Sequence, residues 1–402
     1  MHADPPGTVA RQTTLRARNL ALVAGQVFAS ADPLARVDVA NATGMTRSTA
    51  SRLVDQLVAA HVLRELAPVT TNRRGRPAVP LAPSRHRFFA LGVEINVAHL
   101  TVLLMDLSGE VLAQRGADGD HVGAPPAHVA GLLVPMLDEC LAALPTDGVL
   151  VGVQVAVPGL VDQERRTVLR APNLGWRDVA LEQLLDVERL PALAGVASGL
   201  ANEADCAAFL AARDAPGRRA RLGTFLHLSG EVGIGSAIVR DGRLRLGPHG
   251  WAGEIGHMCI DPAGPRCACG ADGCLERYAG SRALVEGAGV ASLDALEAAL
   301  RDDEPRATRT IDTAGRALGV AVANAANLLD ITTIVLGGVL GRFADHFTPR
   351  IVAELDRRLL VRPYVQPTVE RCARDRKAAA AGAAVMVLEQ VVEDPAAWMA
   401  KV

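Results

Sequence analysis

Apolar residues recur at helical spacing at Leu15, Leu20, Leu22, Val23, Val27 and Phe28, predicting a helix from Thr14 to Ser30 that Asp32-Pro33 ends. A short helix is expected at Val37–Ala42, then a turn at Thr43-Gly44-Met45 and a helix capped by Thr46, with Ala50, Leu53, Val54, Leu57 and Val58 on its inner face. Helix, glycine turn and helix make a helix-turn-helix. A short strand at His61–Leu66 and a returning one at Val79-Pro80-Leu81 would add a β-hairpin wing.

After Pro83 the period changes. Strands are predicted at Phe89–Ile95, Leu100–Met105 and Val111–Arg115, with a turn at Asp106–Glu110. A helix at Ala127–Ala143 and a strand at Val149–Val157 follow. Later come a helix at Asn202–Arg213, paired strands Thr224–Leu228 and Ser236–Arg240 turning at Asp241-Gly242, a helix at Ile311–Leu329 and a strand at Thr333–Leu336. This order is an α/β sheet backed by helices, without a repeat of solenoid period. It divides the chain into a head, residues 14–82, and a body, residues 88–402. The most apolar stretch, Ala378–Val392, is interrupted by Glu389 and reads as a packed helix, so no membrane span is expected. Met1–Thr14 lacks the apolar run of a secretory leader, and the expected location is the cytoplasm.

Charge separates the two parts further. Residues 1–86 carry 11 Arg against five acidic residues, so this segment is at +6 and the remainder at −8 within a net charge of −2. A basic head on an acidic body suggests an anionic partner for the head. Around the second helix of the pair, Thr46, Arg47, Ser48, Thr49, Ser51 and Arg52 offer hydroxyls and guanidiniums suited to phosphates and base edges in a major groove. In the wing, Arg73, Arg74 and Arg76 surround Gly75, and such an extended basic segment can enter a narrow minor groove. Each feature alone also suits a structural bundle or a solvated loop. Together they point to double-stranded DNA.

Half the residues are apolar and only 3% aromatic, so Ala, Val, Leu and Gly must fill a substantial core. Of seven cysteines, three crowd beside a histidine as His257-x9-Cys267-x-Cys269-x4-Cys274. One imidazole and three thiolates match a closed structural zinc site, with no open position for Lewis-acid chemistry. Buried free thiols are the alternative.

Glu254-Ile255-Gly256-His257, Cys267-Ala268-Cys269-Gly270 and Gly273-Cys274-Leu275-Glu276 together resemble the signature of the ROK family (repressors, open reading frames, sugar kinases). Pro158-Gly159, Ala171-Pro172-Asn173-Leu174 with Trp176, and Leu336-Gly337-Gly338 extend the resemblance over most of the chain. With the N-terminal winged helix, it resembles the xylose and N-acetylglucosamine repressor branch. The resemblance implies an actin-like, ribonuclease-H-like fold of two lobes with a sugar cleft between them. It also implies that Asn173, Asn202, Glu203, Glu254, His257 and Glu276 are the sugar contacts, with His257 using one ring nitrogen for zinc and the other for the sugar.

The kinase pattern of that family is broken. Where kinases carry an Asp-x-Gly-Gly-Thr phosphate loop, this chain has Glu94-Ile95-Asn96-Val97-Ala98-His99, without glycine. Where they carry Gly-Thr-Gly, it has Glu231-Val232-Gly233, and Asn202-Glu203-Ala204-Asp205 puts glutamate at the position of the catalytic aspartate. The expected protein is therefore not an enzyme but a sugar-responsive transcription regulator, a repressor, acting as a homodimer or homotetramer on an inverted-repeat operator. An ATP-dependent sugar kinase that also binds DNA, and a regulator whose body no longer senses sugar, are the alternatives.

Overall fold

The structure, a computed structural model, describes residues 12–68, 78–372 and 377–401. Three helices come first: α1 (Gln12–Ala29), α2 (Arg36–Thr43) and α3 (Arg47–Ala59). Between α2 and α3, Gly44 takes φ 70°, the left-handed conformation that ends α2 without a Cβ clash. Thr46 caps α3, its hydroxyl accepting from the Thr49 N–H at 3.2 Å. The expected hairpin is a three-stranded sheet: β1 (Leu34–Ala35), β2 (Leu63–Glu65) and β3 (Pro80–Pro83), in the order β1-β3-β2. The extra strand arises where the α1–α2 connection pairs Leu34 with Leu81. Arg36 ties these parts together, reaching Asp55 of α3 at 2.7 Å and Glu65 of β2 at 2.8 Å.

The body opens with β4 (Phe88–Ile95), β5 (His99–Asp106), β6 (Val111–Asp118), α4 (Pro126–Leu141) and β7 (Val149–Val157). A small antiparallel ribbon, β8 (Leu160–Asp162), β9 (Thr167–Ala171) and β10 (Trp176–Ala180), precedes β11 (Ala197–Asn202) and α5 (Glu203–Ala211). The first large sheet runs β11-β7-β4-β5-β6, with β4, β7 and β11 parallel and β4-β5-β6 an antiparallel meander. Every residue of β4 and β5 is buried, as central strands covered on both faces must be.

After a short hairpin, β12 (Arg213–Ala215) and β13 (Arg218–Arg219), the same plan is drawn again. Strands β14 (Phe225–Gly230), β15 (Ile234–Arg240) and β16 (Arg243–Leu244) form the meander. Helices α6 (Glu276–Ala279), α7 (Ser281–Ala288), α8 (Leu293–Arg301) and α9 (Pro305–Leu329) lead to β17 (Thr333–Gly337). Then α10 (Gly338–Arg342) and α11 (Ala344–Arg358) precede β18 (Thr368–Arg371). The order β16-β15-β14-β17-β18 repeats the parallel and antiparallel pattern of the first sheet, although no sequence repeat announces it.

The chain ends in α12 (Ala378–Glu393) and α13 (Pro395–Met399). Helix α12 is the expected packed helix, and the Glu389 carboxylate within it is buried against the Arg213 guanidinium, which lies 4.3 Å from the Phe209 ring. Two glycines set its depth. A Cβ on Gly92 of β4 would overlap the Ala380 carbonyl, and one on Gly382 would overlap the Cys206 carbonyl of α5. One apolar cluster joins Leu20, Val23, Val27 and Phe28 of α1 to Phe88 and Ala90 of β4 and to Val391, Val392 and Trp398. Helix α1 therefore belongs to the core of the head and to that of the body at once. No helix among the described residues is long and apolar enough to cross a membrane.

Candidate functional site

Asn173, Asn202, Glu203, Glu254, His257 and Glu276 come from four separate stretches of chain and line one cleft of about 770 Å³. Each is placed by a local device. Asn202 caps α5: its side-chain oxygen accepts from the Ala204 N–H at 2.7 Å and its amide donates to the Gly159 carbonyl at 2.8 Å. The cap thereby ties the Pro158-Gly159 turn to α5 and puts Glu203 in the first turn of that helix. Glu254 and His257 sit on a turn pressed against β15, where a Cβ on Gly253 or Gly256 would overlap the carbonyls of Ser236 and Ile234. Glu276 opens α6, directly after the cysteine loop.

His257, Cys267, Cys269 and Cys274 bring their ligand atoms within 4.8 Å of one another. Cys267 Sγ lies 3.8 Å from His257 Nδ1 and Cys269 Sγ lies 3.7 Å from Cys274 Sγ. These separations match the edge of a tetrahedron with bonds of about 2.3 Å, and exceed by far a disulfide of about 2.05 Å. The loop closes through Cys267 N–H to the Ala271 carbonyl at 2.8 Å and Gly273 N–H to the Pro265 carbonyl at 2.9 Å. Gly273, at φ 66°, passes so near Asp261 that a Cβ would overlap its carbonyl. The four residues could hold a metal ion, and His257 joins that cluster to the cleft wall.

The structure adds residues that the motif reading passed over. Glu94-Ile95-Asn96-Val97-Ala98-His99, read only as a phosphate loop without glycine, carries a buried polar network. Asn96 donates to Glu203 at 2.8 Å, His99 Nε2 lies 3.1 Å from Glu94, and Glu94 also accepts from the Ala380 N–H of α12 at 3.2 Å. Gly233, read as part of a second phosphate loop, lies between Asn173 and Glu276: a Cβ there would overlap the Glu276 carboxylate and come within 2.8 Å of the Asn173 amide. Asp205, in the Asn-Glu-Ala-Asp run, is buried on the cleft. The spacing of an acidic residue two positions beyond Glu203, in the first turn of α5, was its only sequence signal.

Burial controls the charge here. It pushes Glu203 up to about 8, with the Glu94 and Glu231 carboxylates adding to the effect and the hydrogen bond from Asn96 opposing it. Burial, with Glu254 nearby, pushes Asp205 up to about 7. Glu254 is raised by burial and by Glu276 against the opposing effect of His257. Burial alone would lower His99, but its hydrogen bond to Glu94 and the surrounding carboxylates raise it. Next to the cleft, a cavity of about 390 Å³ is lined by Glu94, Glu203, Glu231 and His227. His227 is buried in it and lowered to about 4.

On α3, Arg47, Ser48 and Arg52 are exposed, whereas Thr49 and Ser51 are half-buried. The Thr46 hydroxyl is engaged as the cap and with Thr49 Oγ1 at 2.9 Å. Arg73, Arg74 and Arg76 lie outside the described residues.

The comparisons agree with this architecture. The xylose repressor of Caldicellulosiruptor bescii is 24% identical over 382 residues, 90% of this chain and 93% of the repressor. The crystal structure of a ROK family transcriptional regulator, a homologue of the Escherichia coli MLC protein, superposes with a TM-score of 0.77 at 25% identity, over 96% of this chain and all of that one. The ROK family glucokinase of Streptomyces griseus, solved with glucose and AMPPNP, gives a TM-score of 0.60 at 25% identity over 74% of this chain and 98% of the kinase. Residues 90–390 match the ROK family, and the chain belongs to it.

Proposed function

We propose that this chain is a sugar-responsive, DNA-binding transcription regulator, a repressor of carbohydrate-metabolism genes, working in the cytoplasm. The observation that carries this reading is the convergence of Asn173, Asn202, Glu203, Glu254, His257 and Glu276 on one cleft. Amides and carboxylates pair with vicinal hydroxyls, and a site built from them rejects analogues that lack those hydroxyls. A structural zinc ion held by His257, Cys267, Cys269 and Cys274 would fix the His257 ring and, two residues past Cys274, Glu276.

At the head, exposed Arg47, Ser48 and Arg52 of α3 would meet a major groove, with Thr46, Thr49 and Ser51 beside them; Arg73, Arg74 and Arg76, outside the described residues, would add contacts to a minor groove. A homodimer or homotetramer would set two such heads on an inverted-repeat operator. Coupling between sugar and DNA requires the sugar to favour one conformation of the body over another. Helix α12 is placed to transmit it: its N-terminal end holds Glu94 of the polar network, and its far end packs on α1.

The test is thermal unfolding against free sugars, followed by binding of a DNA site selected from random duplexes. Stabilisation by one sugar, with DNA affinity changed by that sugar, is the expected result. A sugar that stabilises the protein and leaves DNA affinity unchanged overturns the regulatory reading.

Phosphoryl transfer is not part of this function. The cavity beside the cleft gathers Glu94, Glu203 and Glu231, and none of its described lining residues is a lysine or arginine that could hold a polyphosphate. One observation favours the second reading, an ATP-dependent sugar kinase: a carboxyl group at about 8 is close to what a general base needs. Sugar-dependent ATP consumption that Glu203→Gln abolishes would establish it.

A further inference from the structure

The inner cleft is lined by amides, carboxylates, His257, and small and aliphatic residues, with no Trp, Tyr or Phe among those described. Immediately outside it lies a second, open cavity of about 1030 Å³, and Gly250 borders both. Its wall carries Trp251, 42% exposed in a protein with only three tryptophans.

The indole is fixed in place. Its Nε1–H donates to the Val161 carbonyl of β8 at 3.2 Å, and its ring stacks on His249 with centroids 5.0 Å apart and planes tilted by 30°. The loop that carries both rings closes through the Ala252 N–H to the Leu246 carbonyl at 3.0 Å, with Gly247 and Gly250 at φ 73° and 79°. Opposite stands the β8–β9 turn, held by the Arg165 N–H donating to Asp162 at 2.9 Å. Asp162, Glu164 and Arg165 form its polar edge.

A flat aromatic ring beside carboxylates and a guanidinium suits a pyranose, which has an apolar C–H face and a rim of hydroxyls. We propose that this outer cavity is a second sugar subsite, and that the effector is a disaccharide or longer saccharide whose inner unit occupies the cleft while its next unit lies on Trp251. The proposal rests on the sugar-binding reading of the cleft and names the class of effector. A tethered second unit adds its contacts without a second loss of translational freedom, so a cognate disaccharide gains affinity over its own monosaccharide.

The test uses the full-length protein loaded with zinc. Tryptophan fluorescence and calorimetry are followed while D-xylose, D-glucose and N-acetylglucosamine, and then xylobiose, cellobiose, maltose and chitobiose, are added. One disaccharide is expected to bind roughly tenfold more tightly than its monosaccharide and to change the fluorescence. Trp251→Ala should erase that advantage and leave monosaccharide affinity within about twofold, and Trp251→Phe should restore most of it. Monosaccharide binding with no disaccharide advantage overturns the outer subsite alone, as does an advantage that survives Trp251→Ala. Binding of no sugar at all removes the reading of the cleft itself, and the subsite with it.

Discussion

Glu203 is the position at which the structure makes its most quantitative demand. Its carboxyl goes from 4.5 to about 8 on folding, so between those values the folded protein keeps a proton that the unfolded chain has released. Stability then falls as pH rises, by about 1.4 kcal/mol per unit, and the loss is complete above the folded value. Over the whole interval this reaches an upper limit of about 5 kcal/mol, and relaxation or entry of water reduces it, so about 2–5 kcal/mol is expected. Glu203→Gln resembles the protonated form and can still accept from the Asn96 amide, which donates to this side chain at 2.8 Å. The variant should match the parent near pH 4.5 and exceed its stability by that amount at pH 9. The assay is the urea midpoint and slope of both proteins at half-unit steps from pH 4.5 to 9, compared as a difference so that Asp205 cancels; His99, which the Glu203 charge helps to raise, shares in that difference. Parallel curves across the range would refute the argument, because they would mean that Glu203 titrates alike in both states.

Three further outcomes follow from the geometry. Gly233→Ala should leave stability within about 1 kcal/mol, because the added methyl meets only side-chain ends, yet weaken sugar binding about tenfold or more by displacing Glu276 and Asn173; unchanged affinity by calorimetry would remove Gly233 from the site. Purified protein should carry one zinc per chain, and chelation should lower Tm by at least about 5 °C, whereas metal content unaffected by Cys269→Ser and Cys274→Ser would dissolve the cluster as a metal centre. Arg47→Ala should weaken binding to a selected duplex by about 1–3 kcal/mol without altering sugar-induced stabilisation, and a salt-dependent gel-shift series that is identical for parent and variant would remove α3 from the DNA surface.

Much of this architecture can be read before folding, and what cannot has a physical cause. Thr46, Gly44 and Asn202 act through their own few neighbours, so the helix ends they govern are legible in local sequence. The six polar residues follow from the family resemblance carried by the runs in which they stand, and all of them line one cleft. Asn96 and Glu94 are harder to read: their partners, Glu203 and Ala380, are 107 and 286 positions away, and His99 enters the network only through Glu94. Reading Glu94–His99 only for the glycines of a phosphate loop passes over the polar network that it carries. Gly233 shows the same limit, because a glycine declares the freedom it confers but not the side chains that use the space. The doubled sheet plan leaves no sequence trace, since strand order is fixed by buried faces that many apolar residues satisfy equally. Ala378–Val392 is the packed helix its composition announces, but the partner that lets Glu389 be buried within it, Arg213, is far away in sequence and could not be named.

The apolar cluster that α1 shares with Val391, Val392 and Trp398 means that the reading head is not a cartridge. Cutting the chain near Pro83 would strip the roof from the last helices of the body and leave Val27 and Phe28 facing water. A head grafted from another regulator would have to bring a matching underside, or the hybrid would present two raw apolar surfaces instead of one seam. Loss of the amino-terminal helix should therefore be felt as a failure to fold and not merely as a failure to read.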